Sequence, residues 1–95
     1  MVVGLSEIML HIPSATSLKD KRQVLRGLIE RIRRDYQVSI AEVEDHDLWG
    51  NATLGIAAVS NDAGHLESVL AKVRSAIDER PELEIIGQWQ EIERR

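Results

Sequence analysis

Cysteine is absent from this chain of 95 residues, so the protein has neither a disulfide framework nor thiolate chemistry. Phenylalanine is also absent, and the only aromatic residues are Tyr36, Trp49 and Trp89. This scarcity argues against an RNA-recognition motif, because such a sheet stacks bases on several aromatic side chains of its central strands. No apolar run is long enough to span a bilayer, and the first residues lack the pattern of a signal peptide.

The remaining composition is that of one domain, 1–95, large enough to form a core without cross-links. The lack of cysteine fits a reducing cytoplasm, where we expect the protein to be. Its formal net charge of −4 gives it no general attraction for nucleic acid, so any such binding requires a local patch. The sequence contains no glycine-rich phosphate loop and no serine-based triad. We therefore expect no cofactor and assign no catalytic residue, and we expect no membrane association.

Hydrophobic periodicity predicts six elements in the order βαββαβ. We expect strands over 2–12, 37–43, 52–59 and 83–92. We also expect one helix from a Ser17 cap to about Arg34, and another that starts at a cap, Asn61 or Asp62, and is stopped by Pro81. Asp20, three residues after Ser17, makes a variant of the capping box.

Two βαβ halves in this order predict an α+β fold, the ferredoxin-like two-layer sandwich with antiparallel sheet order 4-1-3-2. Both helices cover one face of the sheet, and the other face stays open. This face mixes apolar and charged residues of the first strand. It is therefore either a solvent-exposed surface or an interface with a partner. The simplest partner is a second copy of the chain, so we expect a homo-oligomer, most simply a dimer. The interface candidates are Leu5, Met9, Trp49 and Trp89.

The predicted topology brings the unusual polar residues to one end of the sandwich. The expected members are His11, 13–16, Lys19, Lys21, Arg22, Asp45, His46, Asp47, Trp49 and Arg80. Imidazole and carboxylate groups in this set could bind a metal, but their spacing matches no metal motif, so we expect none. Trp49 lies in a polar hairpin, where it either forms a contact surface or folds back over the sheet edge.

Several cations lie where the first helix begins, although the partial positive charge of a helix N-terminus disfavours them. At 100° per residue, Arg22, Arg26 and Arg33 share one flank of the helix, with Lys19 close by. We call these four residues the basic ridge. It is either a stripe that contacts phosphates or a solvated face whose long side chains shield the edge of the core.

Lys21 falls in the middle of the apolar stripe of the same helix. A lysine at this position must reach the helix end or meet a carboxylate, for which Glu7, Glu42 and Glu44 are the candidates. We predict a carboxylate partner. Such a pair would fix the helix on the sheet, whereas the alternative is a lysine directed at a ligand.

Several segments together resemble the YlxP-like family of small uncharacterised bacterial proteins. They are His11-Ile12-Pro13, Ser17-Leu18-Lys19-Asp20-Lys21-Arg22, Val38-Ser39-Ile40-Ala41-Glu42-Val43, Asp47-Leu48-Trp49 and 54–61. The resemblance covers nearly the whole chain and implies a ferredoxin-like fold. Genes of the family often neighbour those of a translation initiation factor and a ribosome-binding factor, which implies work near RNA or the ribosome. The family supplies no catalytic residues.

Three functions stay open. The first is a non-enzymatic accessory protein that binds RNA or the ribosome. Its phosphate-binding candidates are Lys19, Lys21, Arg22, Arg26 and Arg33. The second is a homo-oligomeric scaffold or regulator without nucleic acid, and the third is a small-molecule enzyme of unknown reaction.

Overall fold

The computed structural model describes all residues, 1–95, in the expected order of elements. They are β1 (Val2–His11), α1 (Leu18–Tyr36), β2 (Ser39–Glu44), β3 (Asn51–Ser60), α2 (Ala63–Asp78) and β4 (Glu84–Arg94). All strand pairs are antiparallel and the sheet order is β2-β3-β1-β4, which is the predicted order viewed from the opposite edge. The ferredoxin-like α+β sandwich is therefore confirmed.

The central strand β1 separates the two faces of the sheet, because its residues alternate strictly between buried and partly exposed positions. Ile8 and Leu10 face the helices and are fully buried with Leu54 and Ile56 of β3. Burying each such side chain stabilises the fold by roughly 1.5–3 kcal/mol. The helices supply the other half of this core through their apolar stripes, and neither helix has the length and apolar character needed to cross a membrane.

The first turn of α1 is fixed by a cap that differs slightly from the predicted one. Ser17 is the N-cap, and its hydroxyl accepts a hydrogen bond from the backbone N–H of Asp20 at 3.1 Å. The Asp20 carboxylate accepts from the backbone N–H and the hydroxyl of Thr16, at 3.1 and 2.8 Å, rather than from the N–H of Ser17. The cap therefore also holds the loop that leads into the helix.

Most ends of elements differ from the sequence prediction by one or two residues, and two of these differences have an identifiable cause. Helix α1 continues to Tyr36, because Gln37 adopts a left-handed conformation (φ 53°) and donates its N–H to the carbonyl of Arg33. Glycine usually occupies this position, so the sequence carries no stop signal there. Strand β4 continues to Arg94, which pairs with Val2, so residues 93–94, beyond the predicted strand 83–92, are also part of this edge strand.

Candidate functional site

Lys21 is a buried charge at the junction of α1 with the β2–β3 hairpin, and its side chain is 1% exposed. Its ammonium donates to the Glu42 carboxylate at 2.8 Å. It also donates to the backbone carbonyls of Asp45 at 2.7 Å and Asn51 at 3.1 Å, and lies 3.4 Å from that of His46. The predicted carboxylate partner is confirmed, and it is Glu42.

This arrangement places the charge of Lys21 inside the protein. Because its three ammonium protons already have protein acceptors, the side chain is not displayed to an external phosphate. The geometry favours the pair that fixes the helix on the sheet over a lysine directed at a ligand, so Lys21 is set apart from the other phosphate-binding candidates. The pair ties α1 to both ends of the hairpin loop.

The hairpin loop has an irregular backbone that the sequence did not reveal. The pairing of β2 with β3 shifts between Glu42 and Glu44, and Asp45 follows in a left-handed conformation (φ 65°). The Asp45 carboxylate accepts a hydrogen bond from the hydroxyl of Thr53, which helps to hold this conformation. Leu48 and Trp49 then project at the tip, and Trp49 is 56% exposed. The contact-surface interpretation of Trp49 fits this exposure better than folding back over the sheet edge.

The basic ridge lies on the exposed side of α1. All four of its side chains are exposed, and none forms an ion pair with a carboxylate. Arg33 donates one hydrogen bond, to the backbone carbonyl of Ile40 at 2.9 Å, which places its guanidinium beside the start of β2. The ridge thus keeps its charges available to a ligand.

Charge is strongly segregated between α1 and the rest of the protein. The helix carries seven of the twelve lysines and arginines but only three of the sixteen acidic residues. Its formal charge is +4, and that of the remaining chain is −8, which together give the net −4. Lys21 is buried beside Glu42, and without it the helix carries +3. A net-acidic protein therefore presents one distinctly positive element.

The other predicted members of the end cluster have partners of their own. Arg80 forms an ion pair with Glu82 at 2.7 Å, which lowers the pKa of Glu82 below its usual value. It lines a hollow of about 390 Å³ with Arg31 and Tyr36 of the second half of α1, rather than with the cations at the helix start. Arg80 therefore does not extend the ridge.

The two histidines at the same end contact main-chain oxygens. Nδ1 of His11 lies 2.9 Å from the carbonyl of Gly50, and Nε2 of His46 lies 3.1 Å from that of Glu42. No group of three histidine or carboxylate side chains converges on one point. These residues brace the hairpin loop.

The open face of the sheet has an apolar groove of about 380 Å³ beside its central strand. Its side chains come from all four strands: Leu5, Glu7, Ala41, Val43, Ala57 and Trp89. Met9 lies further along β1 on the same face, so three of the interface candidates share this face. Trp49 does not, because it lies at the hairpin tip.

The fold and these surfaces define a class of small ferredoxin-like domains with one positive helix and an uncovered sheet face. A de novo designed protein with a ferredoxin fold aligns with 100% of this chain and 87% of its own, with a TM-score of 0.54 and 10% identity, which supports the fold alone. A REP-associated tyrosine transposase bound to a REP hairpin aligns with 98% of this chain and 56% of its own (TM-score 0.46, 15% identity), a likeness too loose to bear on function.

The chain belongs to the family described as "Protein of unknown function (DUF503)", whose model matches residues 3–89. The uncharacterized protein YlxP of Bacillus subtilis (strain 168) is 39% identical over 83 residues, which cover 87% of this chain and 90% of that protein. The resemblance to YlxP-like proteins is therefore confirmed. Neither match describes an activity.

Proposed function

We propose that this protein is a non-enzymatic accessory protein that binds RNA, free or in ribosomal particles, through the basic ridge of α1. The observation that carries this proposal is the charge segregation: without the buried Lys21, α1 still has a formal charge of +3 on a protein of net charge −4. Phosphate contacts of lysine and arginine release counterions, so a local cluster of this kind can bind RNA although the whole molecule is acidic.

The shape of the ridge favours a polyanion over a small anion. Lys19 and Arg33 are fourteen residues apart on one helix, which corresponds to about 21 Å at 1.5 Å per residue. A row of cations of this length can contact several successive phosphates, whereas a single small anion would need them to converge. The acidic remainder of the chain repels RNA and restricts contact to this side.

Trp49 adds an aromatic surface close to the start of the ridge. Lys21, in the first turns of α1, binds the carbonyl of Asp45, four residues before Trp49. Exposed aromatic side chains stack on unpaired RNA bases, and such stacking complements phosphate contacts. The arrangement therefore favours RNA with single-stranded segments.

The test is a salt titration of binding to ribosomal RNA and to small ribosomal subunits. Contacts from all four ridge cations to single-stranded phosphates predict a slope of about −3 for the logarithm of the association constant against that of the salt concentration. The double variant Arg22→Glu/Arg26→Glu should reduce the magnitude of this slope by about 1 to 2 and weaken binding at every salt concentration. A matched control is Lys72→Glu/Arg74→Glu, which makes the same change in net charge on α2.

The two variants separate a local interface from a general charge effect. We expect the α2 variant to bind nearly as well as the unmodified protein. Equal weakening by both variants would show that only net charge matters, and the absence of binding at low salt would overturn the proposal directly.

Self-association through the open face is the second candidate function, because Leu5, Met9 and Trp89 lie together on it. Two carboxylates, those of Glu7 and Glu91, lie among them and disfavour a symmetric contact between two copies. Sedimentation at micromolar concentration tests this candidate: a single monomeric species would exclude it.

A further inference from the structure

Glu7 is an unpaired carboxylate in the middle of the apolar groove. It lies on the central strand, is only partly exposed, and forms neither an ion pair nor a hydrogen bond. Its neighbours on β1 along this face are the apolar Leu5 and Met9. A partly exposed charge beside apolar side chains loses part of its hydration, and a cation in the groove can replace the lost water.

Trp89 stands directly opposite Glu7 on β4. Side chains at opposite positions of an antiparallel pair are about 5 Å apart at Cβ, so Trp89 and Glu7 are neighbours on the open face and line the same groove. The hydroxyl of Ser6 donates to the carbonyl of Trp89 at 3.1 Å and holds the strand at this point. Trp89 is 43% exposed, so its indole is accessible to a ligand in the groove.

Two glycines let neighbouring side chains fold over the sheet and shape the groove. A Cβ at Gly55 would lie 2.8 Å from a methyl group of Val43, and one at Gly87 would lie 2.9 Å from the terminal methyl of Met9. Val43 and Met9 therefore already occupy the space above these glycines. The apolar walls that Val43 and Met9 form on either side of Glu7 are therefore present before any ligand binds.

We propose that this groove binds an arginine side chain, flanked by apolar residues, in an extended segment of another protein. Guanidinium is planar, stacks on aromatic rings and pairs with carboxylates, so it fits the pair of Trp89 and Glu7. In an extended segment, the residues two positions before and after the arginine share its face. Apolar side chains at these two positions would cover Leu5 and Val43. Charge complementarity selects this occupant, since Glu91 adds a second acid to the same face.

A second copy of the chain fits this face less well. A symmetric dimer centred on the groove would bring the Glu7 side chains of the two copies together in an apolar contact, where like charges repel. RNA is disfavoured for the same reason, because phosphates would meet the carboxylates. The groove is thus a site separate from the basic ridge.

The test uses two synthetic pentapeptides, Leu-Ala-Arg-Ala-Leu and the same peptide with citrulline in place of arginine, acetylated and amidated at their ends. Citrulline keeps the shape of arginine and lacks its charge. Binding is followed by NMR through the indole N–H signals of Trp89 and Trp49. The proteins are the unmodified chain, Glu7→Gln, and the control Glu67→Gln, which removes an exposed acid from α2.

We expect the arginine peptide to bind about fivefold to thirtyfold more tightly than the citrulline peptide and to shift the signal of Trp89. Glu7→Gln should lower this ratio by about threefold to fivefold, leaving the part that the cation–π contact with Trp89 supplies, and Glu67→Gln should leave it unchanged. Equal binding of both peptides, a shift at Trp49 instead of Trp89, or a dimer that buries the groove would overturn the proposal.

This proposal and the RNA proposal fail separately. Arg22→Glu/Arg26→Glu should leave the preference for the arginine peptide intact, because the ridge and the groove are on opposite layers of the sandwich. Loss of that preference in the ridge variant would show that the peptide binds elsewhere and would overturn the groove assignment.

Discussion

Lys21 explains how a charged side chain can occupy an apolar helix stripe. Its ammonium exchanges hydrogen bonds to water for hydrogen bonds to Glu42 and to backbone carbonyls of the hairpin loop. These hydrogen bonds offset the cost of burying the charge. Of the three carboxylates weighed from the sequence, Glu7 was unavailable because the alternation of β1 places it on the open face. Glu42 pairs with the buried Leu54 in the sheet and is 17% exposed, which puts its carboxylate on the helix side.

Replacing Lys21 by methionine is expected to destabilise the protein. The substitution keeps the apolar stem but leaves the Glu42 carboxylate and the loop carbonyls without their donor, which should lower the free energy of unfolding by roughly 3 kcal/mol. Urea denaturation measures this change. The exposed Lys19→Met, two residues away, serves as control and should change stability by less than about 0.5 kcal/mol.

A double variant separates the lost pair from poor packing. If Lys21→Met destabilises the protein by leaving the Glu42 carboxylate without a partner, adding Glu42→Met should restore part of the lost free energy of unfolding. A Lys21→Met protein as stable as the unmodified chain would contradict a structural role for this lysine.

At the level of elements, the start of α1 was well marked in the sequence and its end was not. Ser17 and Asp20 are residue types that satisfy the free N–H groups of a first turn, so they predicted the boundary. The end depends on the left-handed conformation of Gln37, which the sequence does not indicate because no glycine stands there. The irregular hairpin loop was missed for the same reason, since Asp45 adopts a positive φ through contacts that form only in the fold.

The cap of α1 predicts a pH dependence of stability. Hydrogen bonds from the Thr16 hydroxyl and N–H lower the pKa of Asp20 from its usual value of 3.8. Because the folded state favours the ionised form, this contribution is fully present above pH 3.8 and is lost as the pH falls through the lower pKa of the folded state. Asp20→Asn should therefore have a lower melting temperature than the unmodified chain at pH 7, and the difference should narrow below pH 3.8.

Thermal unfolding followed by circular dichroism at several pH values measures this difference. Asp78→Asn is the control, because Asp78 is exposed and forms no hydrogen bond through its side chain. A melting-temperature difference for Asp20→Asn that stays constant down to pH 2 would show that the ionised carboxylate does not stabilise the cap.

For the whole molecule, the two layers have opposite electrostatic character. The helix layer presents the positive α1, and the open face of the sheet presents Glu7 and Glu91 among apolar side chains. The order and pairing of the strands could be predicted because short connections and right-handed crossovers leave few alternatives. The sequence could not show which charges are paired, because that depends on which side chains the register brings together, as it does for Lys21.

The carboxylate of Glu7 is expected to keep the open face from pairing with itself. In Glu7→Leu, the central strand would present Leu5, the new leucine and Met9 in a row, and this continuous apolar surface should drive self-association through the open face. Sedimentation velocity should show a dimer of Glu7→Leu at concentrations where the unmodified chain and the α2 control Glu67→Leu are monomeric.

The position of the new contact distinguishes dimerisation through the open face from nonspecific association. The indole N–H signal of Trp89 should shift when Glu7→Leu associates, because Trp89 lies directly opposite residue 7, whereas that of Trp49 at the hairpin tip should not. An unmodified chain that is already dimeric would show that two copies tolerate the facing carboxylates. In that case the second copy, and not an arginine-bearing segment, would be the partner that the open face accommodates.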